Sequence, residues 1–252
     1  MSRELTALWA GPMPGLLHFG PLAGAAQRFY PPPMCGRMTI THKVDAMARF
    51  AGAAPANDLP DGPRFNVCPT QAVGVVTSTE GSRLYRPMRW GFLPRWYKSP
   101  TDGPLLINAR AETIAEKPAF REACRQRRCL VMATGFYEWT KDAEGKRLPW
   151  YIRPANGDPL VLAGIWQDWA AGEDSHTTFA VVTCPAGEGL SHIHHREPVS
   201  LAPEQFAMWL GEEGKGAARL MTAAPAGRFE SFRVDPKVNS NRAEGPELIE
   251  PI

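Results

Sequence analysis

The stretch AVGVVTS at residues 72–78, the Glu80-Gly81 turn and the stretch LYRPMRW at residues 84–90 decide the fold. The first stretch is a short apolar run rich in β-branched residues, which is typical of a buried strand. A glycine-containing turn followed by a second run at hairpin spacing predicts an antiparallel β-hairpin. We therefore expect a sheet at the centre of the fold.

Segments of the same kind recur on both sides of this hairpin. We predict strands at residues 38–40, 129–134, 135–140, 150–153, 160–166 and 179–184, and helices at residues 44–50, 118–127 and 203–210. Because strands outnumber helices and hairpin-length loops dominate, the predicted class is α+β with a mainly antiparallel sheet. We find no internal repeat and no linker after residue 34, so residues 34–252 are predicted to form one domain.

Residues 1–33 differ from the rest of the chain. They contain six prolines and four glycines and show no sustained helical or strand period. The apolar stretch at residues 16–26 is interrupted by His18, Gly20 and Pro21, so a secretory signal is not predicted. We expect residues 1–33 to be a disordered leader or sequence upstream of a misassigned start, with Met34 beginning the folded unit.

The composition is that of a globular protein with a real core. Hydrophobic residues make up 44% of the 252 residues, and 28 Lys and Arg against 26 Asp and Glu give a net charge of +2. This balance excludes a polyelectrolyte-like binder, so contact with nucleic acid must come from a local patch. The 23 Gly and 25 Pro residues argue against a coiled coil. No apolar run approaches the roughly 18 residues that cross a bilayer, and no membrane partner is expected.

The five cysteines are an odd number without a CxxC pair. They predict neither a disulfide framework nor a zinc ribbon, and they indicate a reducing, cytoplasmic location. Cys35 directly follows Met34, and as an internal residue it is expected to be a small buried hydrophobe. If Met34 is the initiator and is removed, Cys35 carries a free α-amine beside its thiol. Their reference pKa values, about 7.7–8.0 and about 8.5, leave both groups usable as nucleophiles near neutral pH.

A 1,2-aminothiol has a specific reaction with aldehydes. Its nitrogen forms an imine, and its sulfur then closes a five-membered thiazolidine ring. An amide nitrogen cannot react in this way, so this chemistry requires Cys35 to be the N-terminal residue.

Residues 81–101 form a basic and aromatic window without an acidic residue. Cations that follow phosphates, alternating with rings on which bases stack, are typical of single-strand binding. For any one tryptophan, such as Trp90, a core position is the more frequent outcome. For the window as a whole, the charge bias favours nucleic acid.

Two further residues are candidates for proton transfer. Glu138 lies among aromatic residues in GFYEW, where the default expectation is a side chain that points to water. An apolar setting would instead raise the pKa of its carboxyl and suit it to general acid/base work. His194 lies in IHHREP; three histidines are close together there, but no partner at ligand spacing supports a metal site.

Asn108 and Arg110, in INARAET, are predicted at a strand end, where they could orient a phosphate. The alternative is turn capping and a surface ion pair with Glu112.

Taken in order, these motifs and others resemble the SRAP family of abasic-site processing proteins. The matching segments are MCGR at 34–37, FNVCPT at 65–70, RWGFLP at 89–94, INARAET at 107–113, GFYEW at 135–139, AGIW at 163–166, Val182-Thr183, HHREP at 194–198 and the tail from Val238 to Ile249. The resemblance covers nearly all of residues 34–252. It implies one mainly-β domain with open-barrel-type sheets, a positively charged cleft for single-stranded DNA, and no cofactor.

The resemblance also implies roles for single residues. Cys35 would form a thiazolidine with the ring-opened aldehyde of an abasic deoxyribose, after self-removal of the residues before it. Asn108 would hold the reacting groups, Glu138 would move protons, and His194 would assist those transfers and the reversal of the crosslink. Residues implied in DNA contact are Arg37 and Arg110 on phosphates, Trp90 on a base, and Asn66 and Thr183 on the backbone.

The chain departs from the family in two ways. Glu197 stands where the family usually has Met, and this added acid could weaken DNA binding slightly or pair with Arg196. In addition, 34 residues precede Cys35. The leading hypothesis is covalent capture of abasic sites in single-stranded DNA by a monomer that is nucleoid-associated when bound. One alternative is a non-covalent single-strand binder. Another is a thiol peptidase that uses Cys35, Glu138 and His194 against its own leader.

Overall fold

Residues 35–252 are the part of the chain that the computed structural model describes. The predictions for residues 1–33 and for Met34 lie outside these residues. The strands are β1 (Met38–Ile40), β2 (Ala54–Pro55), β3 (Arg64–Val67), β4 (Ala72–Thr79), β5 (Ser82–Trp90), β6 (Asn108–Arg110), β7 (Arg128–Ala133), β8 (Gly135–Lys141), β9 (Arg147–Pro154), β10 (Leu160–Ala171), β11 (Asp174–Pro185), β12 (Arg196–Pro198) and β13 (Phe229–Arg233).

The helices are short. They are α1 (Val44–Ala51), α2 (Arg121–Gln126) and α3 (Phe206–Leu210), with 3₁₀ turns at Pro203–Gln205, Ala217–Leu220, Pro236–Asn239 and Pro246–Ile249. Helix α1 ends at Ala51, and the φ of 62° at the following Gly52 lets the chain turn out of the helix in the left-handed region.

The strands form two sheets. One sheet has the order β13-β9-β8-β1-β3, and all its pairs are antiparallel. The other follows the order β12-β11-β10-β7-β4-β5-β2, with β6 added on β11. Because β11 also pairs with β5 in parallel, the strands β11, β10, β7, β4 and β5 close into a five-stranded barrel. This closure removes two exposed sheet edges.

Strand alternation gives the larger sheet two apolar faces. One face packs with the three helices in a cluster that includes Met47, Tyr85 and Trp209. The other face shares a cluster with the five-stranded sheet, and Cys35 and Trp90 belong to this inner cluster. The opposite face of the five-stranded sheet is covered by C-terminal residues, among them Val238 and Leu248. The site described below lies where the inner cluster meets the start of the described chain.

The predicted fold class is confirmed, and the central hairpin is present as β4 and β5. The predicted helix at 118–127 is shorter than expected, because turns precede α2. The predicted helix at 203–210 is divided into a 3₁₀ turn and α3. Four short strands, β2, β3, β12 and β13, were not predicted, and for β6 only a strand end at Asn108 and Arg110 was expected.

Within residues 35–252, no helix is long and apolar enough to cross a membrane. The same residues contain no group of three or more His, Cys, Asp or Glu side chains that could hold a metal ion. All five cysteines of the chain lie in this part and are free.

Candidate cysteine site

Cys35 is buried, with 4% of its surface exposed, and it leads into β1. Its backbone N–H donates a hydrogen bond to Oε1 of Glu138 over 2.6 Å. Its φ of 45° lies in the left-handed region, which costs a non-glycine residue roughly 1 kcal/mol or more. The hydrogen bond to a carboxylate offsets part of this cost. The reactive atoms of Cys35 are thereby held against one acidic side chain.

Glu138 occupies the middle of β8, which pairs with β1 on one side and β9 on the other. Its neighbour two residues earlier, Phe136, belongs to the inner cluster, and alternation places Glu138 on the same face. Its exposed fraction is 4%, so the default expectation of a water-facing side chain is wrong. On the adjacent strand, half-buried Trp150 stands directly opposite it.

Burial changes the acidity of both groups. It raises the pKa of the Glu138 carboxyl, while the charge of His194 and hydrogen bonds from Cys35 act in the opposite direction. Burial is also the main cause that raises the pKa of the Cys35 thiol well above its ordinary value, and the negative charge of Glu138 adds to it. The site therefore favours a protonated thiol beside a carboxyl that retains a proton more readily than usual.

His194 reaches the site from the loop between β11 and β12. It is half-buried, and its Nδ1 lies 3.1 Å from the N–H and 3.2 Å from the carbonyl oxygen of Arg196. Depending on the tautomer, Nδ1 either accepts from the Arg196 N–H or donates to the Arg196 carbonyl oxygen, and in both cases the ring is held through this nitrogen. His195 lies beside it, with the ring centroids 4.3 Å apart. Cys35 and Glu138 are therefore in hydrogen-bond contact, and His194 lies near enough to act electrostatically on the Glu138 carboxyl.

Asn108 is the first residue of β6, which adds to β11 as a parallel strand. In that register Asn108 stands opposite Val181, and exposed Arg110 stands opposite Thr183. The surface ion pair suggested for Glu112 forms with Arg196, through two hydrogen bonds of 2.6 and 2.9 Å. The predicted surface ion pair of Arg110 with Glu112 is therefore wrong, because Glu112 pairs with Arg196 instead. The Arg110 side chain is exposed.

Arg37 and Asn66 hold each other. Nη1 of Arg37 donates to Oδ1 of Asn66 over 2.7 Å and to the carbonyl oxygen of Val238 over 2.8 Å. Asn66 has no exposed surface, and its amide donates to the carbonyl oxygens of Ser240 and Ala243. In this structure Asn66 thus acts as an internal support, and contact with DNA through its own side chain would require it to be uncovered.

Trp90 and Thr183 were also predicted to contact DNA, and both side chains are buried in the same way. The Trp90 ring has no exposed surface, lies parallel to Phe179 with centroids 6.3 Å apart, and donates from Nε1 to the carbonyl oxygen of Ile107. Thr183 is fully buried, and its hydroxyl lies 3.3 Å from Nη2 of Arg196. Stacking of a base on Trp90 would require this ring to become exposed.

The basic window at residues 81–101 is not a continuous strip of free cations. Arg83 bonds Glu212 at 2.6 Å, and Arg86 lies over the ring of Trp166 at 4.8 Å. Among the aromatic side chains of the window, Trp96 is the exposed one, at 58%. The prediction that single aromatic residues there belong to the core is confirmed for Trp90.

Sequence reasoning missed three contributors: Trp150, Arg196 and the carboxylate of Glu197 as a buried acceptor. Strand alternation in LPWYI, set opposite GFYEW, could have placed Trp150 beside Glu138. No local signal predicts that Arg196 is buried with an exposed fraction of 8%, because its partners come from distant segments.

These features define a small barrel-based protein with a buried cysteine–carboxylate pair and a nearby histidine. The family model described as "SOS response associated peptidase (SRAP)" matches residues 34–241, and the chain belongs to this family. It is 31% identical to abasic site processing protein YedK of Escherichia coli over 87% of this chain and all of that protein.

Two further relatives are also described as abasic site processing proteins, and a solved structure shares the fold. Abasic site processing protein YoqW of Bacillus subtilis is 31% identical over 86% of this chain and 99% of its own. Mouse abasic site processing protein HMCES is 30% identical over 75% of this chain and 65% of its own. A crystal structure of a Bacteroides thetaiotaomicron protein matches the fold with a TM-score of 0.74 at 24% identity, covering 86% of this chain and all of the other.

Proposed function

We propose that this protein processes abasic sites in DNA by capturing them covalently through Cys35 in single-stranded DNA. The relatives named above are abasic site processing proteins, which supports the substrate class. The cysteine site supports the chemistry. The single observation that carries the proposal is the 2.6 Å hydrogen bond between the nitrogen of Cys35 and the buried carboxyl of Glu138.

The proposed reaction needs the α-amine of Cys35 to be free. The amine nitrogen adds to the aldehyde carbon of the ring-opened deoxyribose and gives a carbinolamine, which loses one water to form an imine. The thiol then adds to the imine carbon, its proton passes to the nitrogen, and the thiazolidine ring closes. The sum is aldehyde plus aminothiol giving thiazolidine plus water, with no oxidant or cofactor.

Glu138 is placed to move the protons of this sequence. Its carboxylate accepts a proton from the nitrogen as that atom adds, and the protonated acid returns it to the departing hydroxyl. A carboxyl with a raised pKa suits both directions. His194 acts electrostatically on the same carboxyl, and Asn108 directly follows Ile107, which belongs to the inner cluster with Cys35.

Exposure of the amine requires cleavage of the bond between Met34 and Cys35. Hydrolysis adds one water across this bond and leaves a Met34 carboxylate and a Cys35 amine. The leaving nitrogen is the atom that bonds Glu138, so we propose that the same carboxyl protonates it. In the thiol peptidase form of this step, the Cys35 thiol adds to the Met34 carbonyl carbon, the nitrogen leaves as the amine, and water hydrolyses the resulting thioester, so that cleavage of the leader prepares the same site for capture.

Two measurements on the full 252-residue chain test the proposal. Intact mass after expression is expected to show a protein that begins at Cys35. Incubation with an oligonucleotide whose uracil has been excised is expected to give a heat-stable adduct, and an intact strand gives none. Cys35→Ala abolishes the adduct, whereas Cys124→Ala, which removes a half-buried thiol on α2, leaves it unchanged. Glu138→Gln lowers the rate of capture about 100-fold.

The alternatives predict different results. A non-covalent single-strand binder forms no adduct and binds intact and abasic strands equally. An adduct that persists in Cys35→Ala contradicts the assignment of the nucleophile. We further propose that the protein acts as a monomer in the cytoplasm and associates with the nucleoid when bound to DNA.

A further inference from the structure

Glu197 is a buried acid that the proposed reaction does not use. It lies in β12 with an exposed fraction of 2%, at the position where the SRAP family usually has Met. Its Oε2 accepts the backbone N–H of Gly187 over 3.0 Å, and its Oε1 accepts that of Ala224 over 2.6 Å. A methionine at this position would have no oxygen with which to accept either bond.

The first of these bonds closes the loop that carries His194. Gly187 and Glu197 are ten residues apart, and a second bond, from the Ala186 N–H to the carbonyl oxygen of His195 over 3.0 Å, lies beside theirs. Within the loop, the carbonyl oxygen of Leu190 accepts the backbone N–H of His194 over 3.1 Å. Glu197 thus holds the neck of the loop whose interior fixes the His194 backbone.

The second bond joins this loop to a distant segment. Ala224 belongs to the connection before β13, 27 residues along the chain from Glu197. The connection packs closely on the loop, since a Cβ at Gly187 would lie 3.1 Å from that of Ala223. One carboxylate therefore ties together β12, the neck of the His194 loop and the connection to β13.

We propose that Glu197 is a positioning residue for the cysteine site: it fixes the His194 loop by accepting the N–H groups of Gly187 and Ala224. This role rests on the proposed function, in which His194 acts on Glu138. The residue does not contact the reacting atoms, and its effect passes through the backbone of the loop.

The negative charge of Glu197 also affects the pKa of the Cys35 thiol. After burial, the groups that raise the pKa of the Cys35 thiol are Glu138 from β8, Glu197 from β12 and Cys184 from β11. Removal of the Glu197 charge therefore lowers this pKa and increases the thiolate fraction at a given pH. A purely structural support would change access to Cys35 but would not move the pH midpoint of its reaction.

Hydrogen exchange of the full chain tests the positioning role. In Glu197→Met, exchange of the peptide covering residues 187–194 is expected to accelerate about tenfold, because the neck bond is lost. Glu197→Gln keeps one carbonyl oxygen and is expected to show a smaller effect. Glu188→Gln removes the same charge from an exposed side chain of the same loop and is expected to leave exchange unchanged. Unchanged exchange in Glu197→Met overturns the proposal.

Alkylation of Cys35 by iodoacetamide, followed by mass spectrometry across neutral to alkaline pH, tests the charge effect. Both Glu197→Gln and Glu197→Met are expected to move the midpoint to lower pH, because each removes a negative charge that raises the pKa of the Cys35 thiol. Glu188→Gln is expected to leave it in place. An unmoved midpoint in Glu197→Gln, or an equal shift in Glu188→Gln, contradicts the inference.

Capture of an abasic strand gives a third measurement. Glu197→Met is expected to lower the capture rate at saturating DNA about tenfold, with unchanged affinity for an intact strand. A fall in affinity with an unchanged capture rate contradicts a positioning role. If the wild-type chain captures nothing, the proposed function is wrong. The hydrogen-exchange and alkylation experiments still test the positioning role of Glu197 in that case.

Discussion

At the scale of single residues, the carboxyl of Glu138 is expensive to bury. It has no cation bonded to it at short range in the described structure, and its hydrogen-bond partners are the N–H and thiol of Cys35 and the backbone N–H of Trp139. Burial of a carboxylate without a bonded cation disfavours its charged form. The proton transfer that we propose for Glu138 gives a reason for a residue that lowers stability in this way.

The first prediction concerns how the stability of Glu138→Gln depends on pH. The folded pKa of Glu138 is raised above its unfolded value. The free-energy cost of burying the charged carboxyl is therefore absent at pH values below the unfolded pKa, where the group is protonated in both states. The cost grows as pH rises toward the folded pKa and is complete above it. The variant is therefore expected to be more stable than wild type at neutral pH, and the difference disappears in acid. Urea unfolding at several pH values measures this.

Glu112→Gln is the matched control with the opposite sign. The hydrogen bonds from Arg196 hold the pKa of the Glu112 carboxyl below its ordinary value, so this group stabilises the fold at pH values above its unfolded pKa. Its removal is expected to lower stability at neutral pH. If both variants shift stability in the same direction, the assignment of the Glu138 cost is wrong.

At the scale of elements, the sequence pattern predicted the strands that form through local pairing. The hairpin of β4 and β5 follows from an apolar run, a glycine turn and a second run, and Val75 and Arg86 face each other in its register. The short strands β6 and β12 could not be predicted in this way, because each exists only through pairing with β11. Their residues carry motif information but no strand periodicity.

The same limit applies to the site. The motifs brought Cys35, Glu138 and His194 forward as candidates, since their residue types suit the chemistry. The burial of Trp90 depends on the closure of β5 against β11, and that of Glu138 on the two sheets sharing one cluster. Both are tertiary events that no segment specifies by itself.

The support that Asn66 gives to two elements leads to a prediction. Its side chain joins β3 to the C-terminal segment through Ser240 and Ala243, and it also accepts a bond from Arg37. Asn66→Ala removes a fully buried side chain and leaves these part-buried groups without that partner, so it is expected to cost about 2 kcal/mol in the free energy of unfolding. Limited proteolysis of the C-terminal segment is expected to accelerate.

The control for this prediction is Asn156→Ala. Asn156 bonds Asp158 in an exposed turn, so its removal is expected to change stability by about 0.5 kcal/mol or less. Equal losses in the two variants, measured by urea unfolding, would contradict a special role for Asn66.

At the scale of the whole molecule, charge is nearly balanced and partly used internally. The net charge is +2, and ion pairs join Arg83 to Glu212 and Arg196 to Glu112. Long-range attraction of DNA is therefore expected to be weak, and the proposed binding is expected to depend on a few exposed cations, of which Arg110 is one. This makes the salt dependence of DNA binding informative.

We predict a shallow salt dependence for binding of an intact single strand. Contact with two or three phosphates gives a slope of log K against log salt of about −1.4 to −2, because each neutralised phosphate on a single strand contributes about −0.7. Fluorescence anisotropy measures the slope, and Arg110→Ala is expected to reduce its magnitude by about 0.7. Lys215→Ala, at an exposed position after α3, is expected to leave it unchanged. An unchanged slope in Arg110→Ala contradicts phosphate contact by that residue, whereas a slope several times steeper requires a cationic surface larger than the one described.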